Sequence, residues 1–346
     1  MKKFSLALLP LVWAVAVPAA NESKIPSMPA AVSSNAVASL KGGTHLFSLM
    51  GVGPRKTWDD ITNQVYVLNL ASGKWSDGRS VPGVAGRLGA SAIGARDQVF
   101  LFGGYVVDGQ GSEITVSDVN AYVAGAQKWY RGADIPVPVD RAVIGVNRDR
   151  YVYLIGGHSK SGPVNNVQVY DIEKDSWSQA TAFPGAPVFG HAGGLVDDLI
   201  VFIDGAMRNA AGGVPYVASE ECWLGKIDRK DPNKIEWSKL PPHPGTAHFG
   251  IAGGVSERER KVYFSGGTSG AHNFRGLGYD GQPAELSPVT FAYELHGRRW
   301  ETTTENTRDP RADGSGILAT PLGQVILGGM AKNQAVTSRV SLLPKK

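Results

Sequence analysis

Cysteine is almost missing from this sequence: Cys222 stands alone among 346 residues. No intramolecular disulfide can form, and zinc or redox sites of the CxxC kind are excluded. Cys222 lies in the apolar, strand-like run Glu221-Cys222-Trp223-Leu224, so a buried structural thiol is expected. Charge is sparse too. Charged residues make up 19% of the chain, without a basic cluster, so the electrostatic footprint of a nucleic-acid binder is lacking. No apolar run is long enough for a polytopic membrane protein. There is no GxSxG elbow, no HExxH pair and no P-loop, and glycine shows no Gly-X-Y period, which excludes collagen. Neither a metal nor a cofactor is expected.

What the chain has in excess is glycine, 44 residues, about 13% against a usual ~7%. With 42% hydrophobic residues, a turn-rich globular protein with a sizeable core is implied. The first twenty residues stand apart. Lys2 and Lys3 precede the nearly wholly apolar stretch Phe4 to Val17, then small Pro18-Ala19-Ala20 leads into polar Asn21-Glu22. This is the pattern of a secretory signal cut after Ala19 or Ala20. The expected organisation is a signal peptide over 1–20 and one domain over 21–346, periplasmic or secreted, with no membrane span after cleavage. Loss of Lys2 and Lys3 lowers the formal charge of +4 by two.

One pattern recurs along the domain: an apolar strand closed by Gly-Gly, a variable loop, a second strand, a turn, then Trp. Gly103-Gly104, Gly156-Gly157, Gly266-Gly267 and Gly328-Gly329 close four such strands; Met50-Gly51 and Asp204-Gly205 close two degenerate copies. The spacings are 53, 53, 48, 62 and 62 residues, and Trp75, Trp129, Trp177, Trp237 and Trp300 keep step. Two markers on one period of about 50 residues indicate a β-propeller array. Glycine permits φ > 0 where each strand turns beside its neighbour, and an indole on an outer strand fills the wedge between twisted sheets. Both markers are read as structural.

The Gly-Gly pairs, the aromatic strands after them (Val65-Tyr66-Val67-Leu68, Val167 to Asp171) and the later Trp resemble the Kelch repeat. The expected fold is all-β: a six-bladed Kelch β-propeller. The sixth copy has no Trp and the chain ends about one strand later. The segment Ser23-Lys24-Ile25-Pro26-Ser27-Met28-Pro29 reads like Ser238-Lys239-Leu240-Pro241-Pro242-His243-Pro244, which follows Trp237. An N-terminal strand at about 21–25 is therefore expected to close the ring on blade six.

Chemistry in a propeller needs polar groups converging at the mouth of its channel. Counting back from each Gly-Gly by 15, 16, 15, 13, 18 and 15 residues gives Asn35, Arg87, Arg141, His191, His248 and Asp313. Arg311 lies on the same segment as Asp313, and small residues follow most of these positions, leaving room for a ligand. The alternative is that such residues hydrogen-bond blades together. Two long loops, 204–219 with Arg208, and 267–289 with His272 and Tyr279, are candidate sugar-binding or capping segments.

Among secreted Kelch propellers the chain resembles the N-acetylneuraminate epimerase (sialic-acid mutarotase) group. That resemblance implies an acidic-sugar ligand, with Arg87 and Arg311 matching the group's arginines and Arg208 a loose match to a third. The group's proton-transferring Glu is replaced by Ala206, which leaves Asp204, His158 and His191 as substitute acid–base candidates. The expected partner is thus a small carbohydrate. The rival reading is a non-catalytic module that docks a protein partner.

Overall fold

A computed structural model describes residues 25–302, 307, 309–314 and 316–343. The expected signal peptide, and the closing strand except for Ile25, lie outside the described residues. Among the described residues, no helix is long and apolar enough to cross a membrane.

The chain folds as a six-bladed β-propeller. Five blades are four-stranded antiparallel sheets in sequence order, and the sixth shows three strands, Leu318–Thr320, Gly323–Leu327 and Val340–Leu342. Blade two illustrates the logic. Its innermost strand, Ser91–Ala95, is built of small residues that can crowd the axis. The second, Gln98–Phe102, carries the apolar run Val99-Phe100-Leu101-Phe102, buried on both faces, as expected for a strand covered on either side. The outermost, Lys128–Gly132, is largely solvated. A blade buries its faces only against its neighbours, so the core consists of clusters that bridge successive blades. Phe100, Phe102 and Tyr170 join blades two and three, and Phe202, Trp223 and Val143 join three and four.

Each expected marker has a mechanical role. The backbone at Gly103 and Gly104 is left-handed (φ 54° and 88°), and a Cβ on Gly104 would sit 2.7 Å from the Leu88 carbonyl. That close approach lets the Gly104 N–H donate to the Val139 carbonyl of blade three at 3.1 Å. The second glycine of every pair makes the same bond, ending with Gly329 of blade six donating to Val32 ahead of blade one. The tryptophans are half-buried, each indole donating to the carbonyl of the preceding inter-blade linker. Trp129 bonds Arg79, Trp177 bonds Ala133, Trp237 bonds Thr181 and Trp300 bonds Pro241. Trp75 of blade one bonds Pro26 at 2.9 Å. The N-terminal segment thus stands where the linkers stand elsewhere, and Met28 donates its N–H to Ser338 of blade six.

Candidate functional site

The approach to each inner strand passes through one left-handed residue: Ser34, Gly89, Arg141, Gly190, Gly250 and Asp313, with φ between 48° and 62°. Each donates its N–H to the carbonyl of its counterpart in the preceding blade, at 2.7–3.3 Å. Six bonds therefore run round the axis and close on themselves. Three of the six are glycine, the residue this backbone favours; Arg141 and Asp313 are held there against a preference of about 1 kcal/mol. They come from blades three and six, across the axis from one another. On one side of this ring the channel, about 1210 Å³, runs between the small inner-strand residues to charged turns such as Arg96-Asp97 and Arg148-Asp149.

On the other side lie the loops that follow the glycine pairs. The long 267–289 loop crosses from blade five and inserts Phe274 among Leu88, Tyr105 and Val107 of blade two. Lys56 Nζ ties it down by donating to the Arg275 and Gln334 carbonyls, both at 2.8 Å. The loop is a cap. Beside its track a polar cluster is built round Arg141, whose side chain is 12% exposed. Arg141 Nη2 donates to the Tyr105 hydroxyl at 2.9 Å and Nη1 lies 3.4 Å from Asp140 Oδ1. Its guanidinium also stacks over the Tyr105 ring, 5.0 Å from the centroid. Two of its five donors are engaged, leaving a fork that suits a carboxylate. Asp140 Oδ2 accepts from Thr115 at 3.3 Å and stands 4.0 Å from His158 Nδ1, while His158 Nε2 lies 2.9 Å from the Tyr216 hydroxyl. Tyr216 packs edge-on to Tyr279 of the cap, with centroids 5.2 Å apart.

The electrostatics of this cluster are unusual. Burial pushes the Asp140 carboxyl up to about 7; Arg141 opposes that shift and the charge of Glu113 adds to it. His158 is pulled down to about 4 by burial and by the positive charges of Arg141 and Arg208. Burial disfavours the Arg141 cation, but Tyr105, Asp140 and Asp313 outweigh it and the guanidinium is held firmly charged. At neutral pH the mouth therefore offers a fixed cation, a neutral imidazole and a carboxyl close to its own midpoint, a combination suited to proton transfer.

The structure separates the expected site residues. Arg141 and Asp313 belong to the ring, and His158 to the cluster. Arg208 is exposed on a neighbouring hairpin, where it bonds the Ser161 carbonyl. The others are withdrawn. Arg87 is buried, donating to the Gly103 carbonyl at 3.0 Å and to Asn120 Oδ1 at 2.9 Å. Arg311 repeats this in blade six with the Gly328 carbonyl at 2.6 Å, and also pairs with Asp309. Asn35 donates to Ser48 Oγ at 2.9 Å. His248 and Asp204 meet in the seam between blades four and five. His191 is buried edge-on to Phe202 and is pulled down to about 4 by that burial. Ala206, the position aligned with the resembled group's acid, is fully buried with Phe189 and Phe249 in an apolar cluster that packs against Tyr216. Sequence reasoning missed Asp140 and Tyr216. The available signal was positional: Asp140 immediately precedes the ring residue and bridges to His158, the residue after Gly156-Gly157.

The chain matches the KLHDC2/KLHL20/DRC7 Kelch-repeats domain over residues 40–267. Among curated proteins it is similar to Kelch-like protein 34 of Homo sapiens, 26% identical over 199 residues, covering 55% of this chain and 29% of that protein. It is also similar to Kelch-like protein 15 of Gallus gallus, 30% identical over 113 residues (33% and 22%). Kelch-like protein terF of Aspergillus terreus is 27% identical over 213 residues (58% and 46%). The matches thus span less than half the length of each of these relatives. The solved structure of YjhT shares the fold with a TM-score of 0.74 and 18% identity, covering 93% of this chain and 97% of that one.

Proposed function

The chain belongs to the KLHDC2/KLHL20/DRC7 Kelch-repeats domain family, and from that premise we propose that it is an exported propeller binding an acidic sugar, such as sialic acid, at the Arg141 mouth. The guanidinium takes the sugar carboxylate, and Tyr216 and Tyr279 offer ring faces and hydroxyls. Asp140 acts as the base, and the Tyr216 hydroxyl, 2.9 Å from His158 Nε2, acts as the proton donor. On this reading the protein is a sugar mutarotase. The carboxylate form of Asp140 removes the proton of the anomeric hydroxyl and its electron pair forms the carbonyl. The ring C–O bond breaks, and the ring oxygen takes a proton from the Tyr216 hydroxyl. Reclosure on the other face gives the second anomer with no net change in atoms or electrons. The observation that carries the proposal is the buried Asp140 carboxyl 3.4 Å from the guanidinium of Arg141, whose side chain is 12% exposed.

Arg141→Lys is the test of binding. Lysine keeps the charge but not the planar fork, so affinity for N-acetylneuraminate should fall at least tenfold, by calorimetry, with the fold intact by circular dichroism. Failure of the wild type to bind any acidic sugar at millimolar concentration would overturn the reading. Docking of a protein partner is favoured instead by one observation: Trp58 and Ile114 on the same loop face are 53% and 52% exposed. If that reading holds, Ile114→Asp abolishes partner binding and leaves sugar affinity at the wild-type level.

A further inference from the structure

Blade four departs from the glycine rule of its neighbours. Where four other blades have the first glycine of the pair it has Asp204, held left-handed at φ 64°. The side chain gained there is wholly buried and points into the seam with blade five. Asp204 Oδ2 accepts from the His248 backbone N–H at 2.9 Å, and Oδ1 lies 2.8 Å from His243 Nε2. His243 comes from the linker between the two blades and His248 from the segment leading into blade five. The His243 ring is fixed: it stacks on Phe291 with centroids 4.7 Å apart and planes within 8°.

The protons limit what this cluster can be. His243 Nδ1 lies 3.0 Å from the Pro244 carbonyl, which can only accept, so Nδ1 carries a proton. Nε2, facing the carboxylate, then holds either a second proton or a metal. An imidazolium–carboxylate pair accounts for His243 and Asp204. The pair does not account for His248. That residue is 3% exposed, and its Nδ1 has no hydrogen bond and sits 3.7 Å from Asp204 Oδ2. The three candidate donor atoms lie within 4.8 Å of one another.

We propose that Asp204, His243 and His248 bind a divalent transition metal of the zinc class, which staples blade four to blade five. Two imidazoles and a carboxylate suit such an ion, and Asp204 can offer one oxygen or both. Oxygen-seeking calcium and magnesium would find too few oxygens. The Pro244 carbonyl supplies the outer hydrogen bond that orients a ligating histidine. Metal bonds of about 2.0–2.2 Å require the Nε2–Oδ1 contact to open only slightly. No motif announced the site, because the ligands are 39 and 5 residues apart and meet only once two blades are docked.

The test uses the full chain without an affinity tag, expressed in zinc-supplemented medium, gel-filtered and assayed by mass spectrometry of the metal. About one zinc per chain is expected in wild type and near none in His248→Gln, which leaves the Asp204–His243 pair in place. Zinc X-ray absorption of the wild type should show two histidines and carboxylate oxygen, a readout independent of whether a variant folds. Less than about a tenth of a zinc per wild-type chain would overturn the proposal. So would full zinc content in both His248→Gln and His243→Gln, or an absorption spectrum lacking histidine.

Discussion

Arg87 and Arg141 carry the same side chain in neighbouring blades and serve different ends. Arg87 spends its guanidinium on a carbonyl and an amide of its own blade, and burial lowers its pKa to about 10. Arg87→Ala strands two buried acceptors, so a loss of roughly 2–4 kcal/mol in urea unfolding is expected, with sugar affinity of the folded fraction unchanged. Ala206→Glu would force a carboxyl among Phe189, Phe249 and Ala271, and should lower the melting temperature instead of creating an acid at the mouth. Asp140 supplies a pH test. Its folded pKa is raised from 3.8 to about 7, so the folded state holds the proton more tightly. The resulting stabilisation is complete below about pH 4 and lost as the pH rises through 7. Asp140→Asn is neutral throughout. Its melting temperature relative to wild type should therefore rise between pH 4 and pH 8; a constant difference would show that Asp140 ionises normally.

At the scale of strands and loops, the period was legible because the markers belong to the blade itself. A Trp that must reach the previous linker, and a glycine whose N–H must reach the next blade, cannot drift in register. Trp177→Ala removes the bond to Ala133 and a half-buried indole packed against Phe102 and Tyr170, so chemical denaturation should show a cost of about 3 kcal/mol. The mouth was not legible by counting. The count back from Gly-Gly crosses a turn that holds two residues in blade two (Arg96, Asp97) and four in blade five (Glu257 to Arg260). The ring lies 14–16 residues before each closing pair, whereas the polar positions lie 13–18 before it, so Arg87 and His248 fall two positions before the ring, Asn35 and His191 one position after it, and Arg141 and Asp313 are in register. Loops whose length varies do not preserve spacing, and the 267–289 cap meets blade two only after the ring has formed.

At the scale of the whole molecule, stability depends on closure. The ring of six N–H bonds and the Gly329-to-Val32 bond exist only when blade six meets blade one. The N-terminal segment belongs to that junction: Met28 is buried with Val37, Leu46 and Leu327, and Pro26 serves Trp75. Deletion of residues 21–28 should cost on the order of 5 kcal/mol and lower the unfolding temperature of the entire domain in one transition. Closure also fixes where Arg141, Asp140 and His158 stand, since their loops come from blade three while the cap that meets them comes from blade five. The proposed activity depends on that meeting point. Its most direct test is the anomer exchange of N-acetylneuraminate followed by NMR, with wild type and Asp140→Asn at equal concentration. Exchange well above the uncatalysed rate is expected for wild type, rising with pH through about 7, and exchange at the uncatalysed rate for Asp140→Asn with binding retained. Wild-type exchange no faster than buffer, or undiminished exchange by Asp140→Asn, would contradict it.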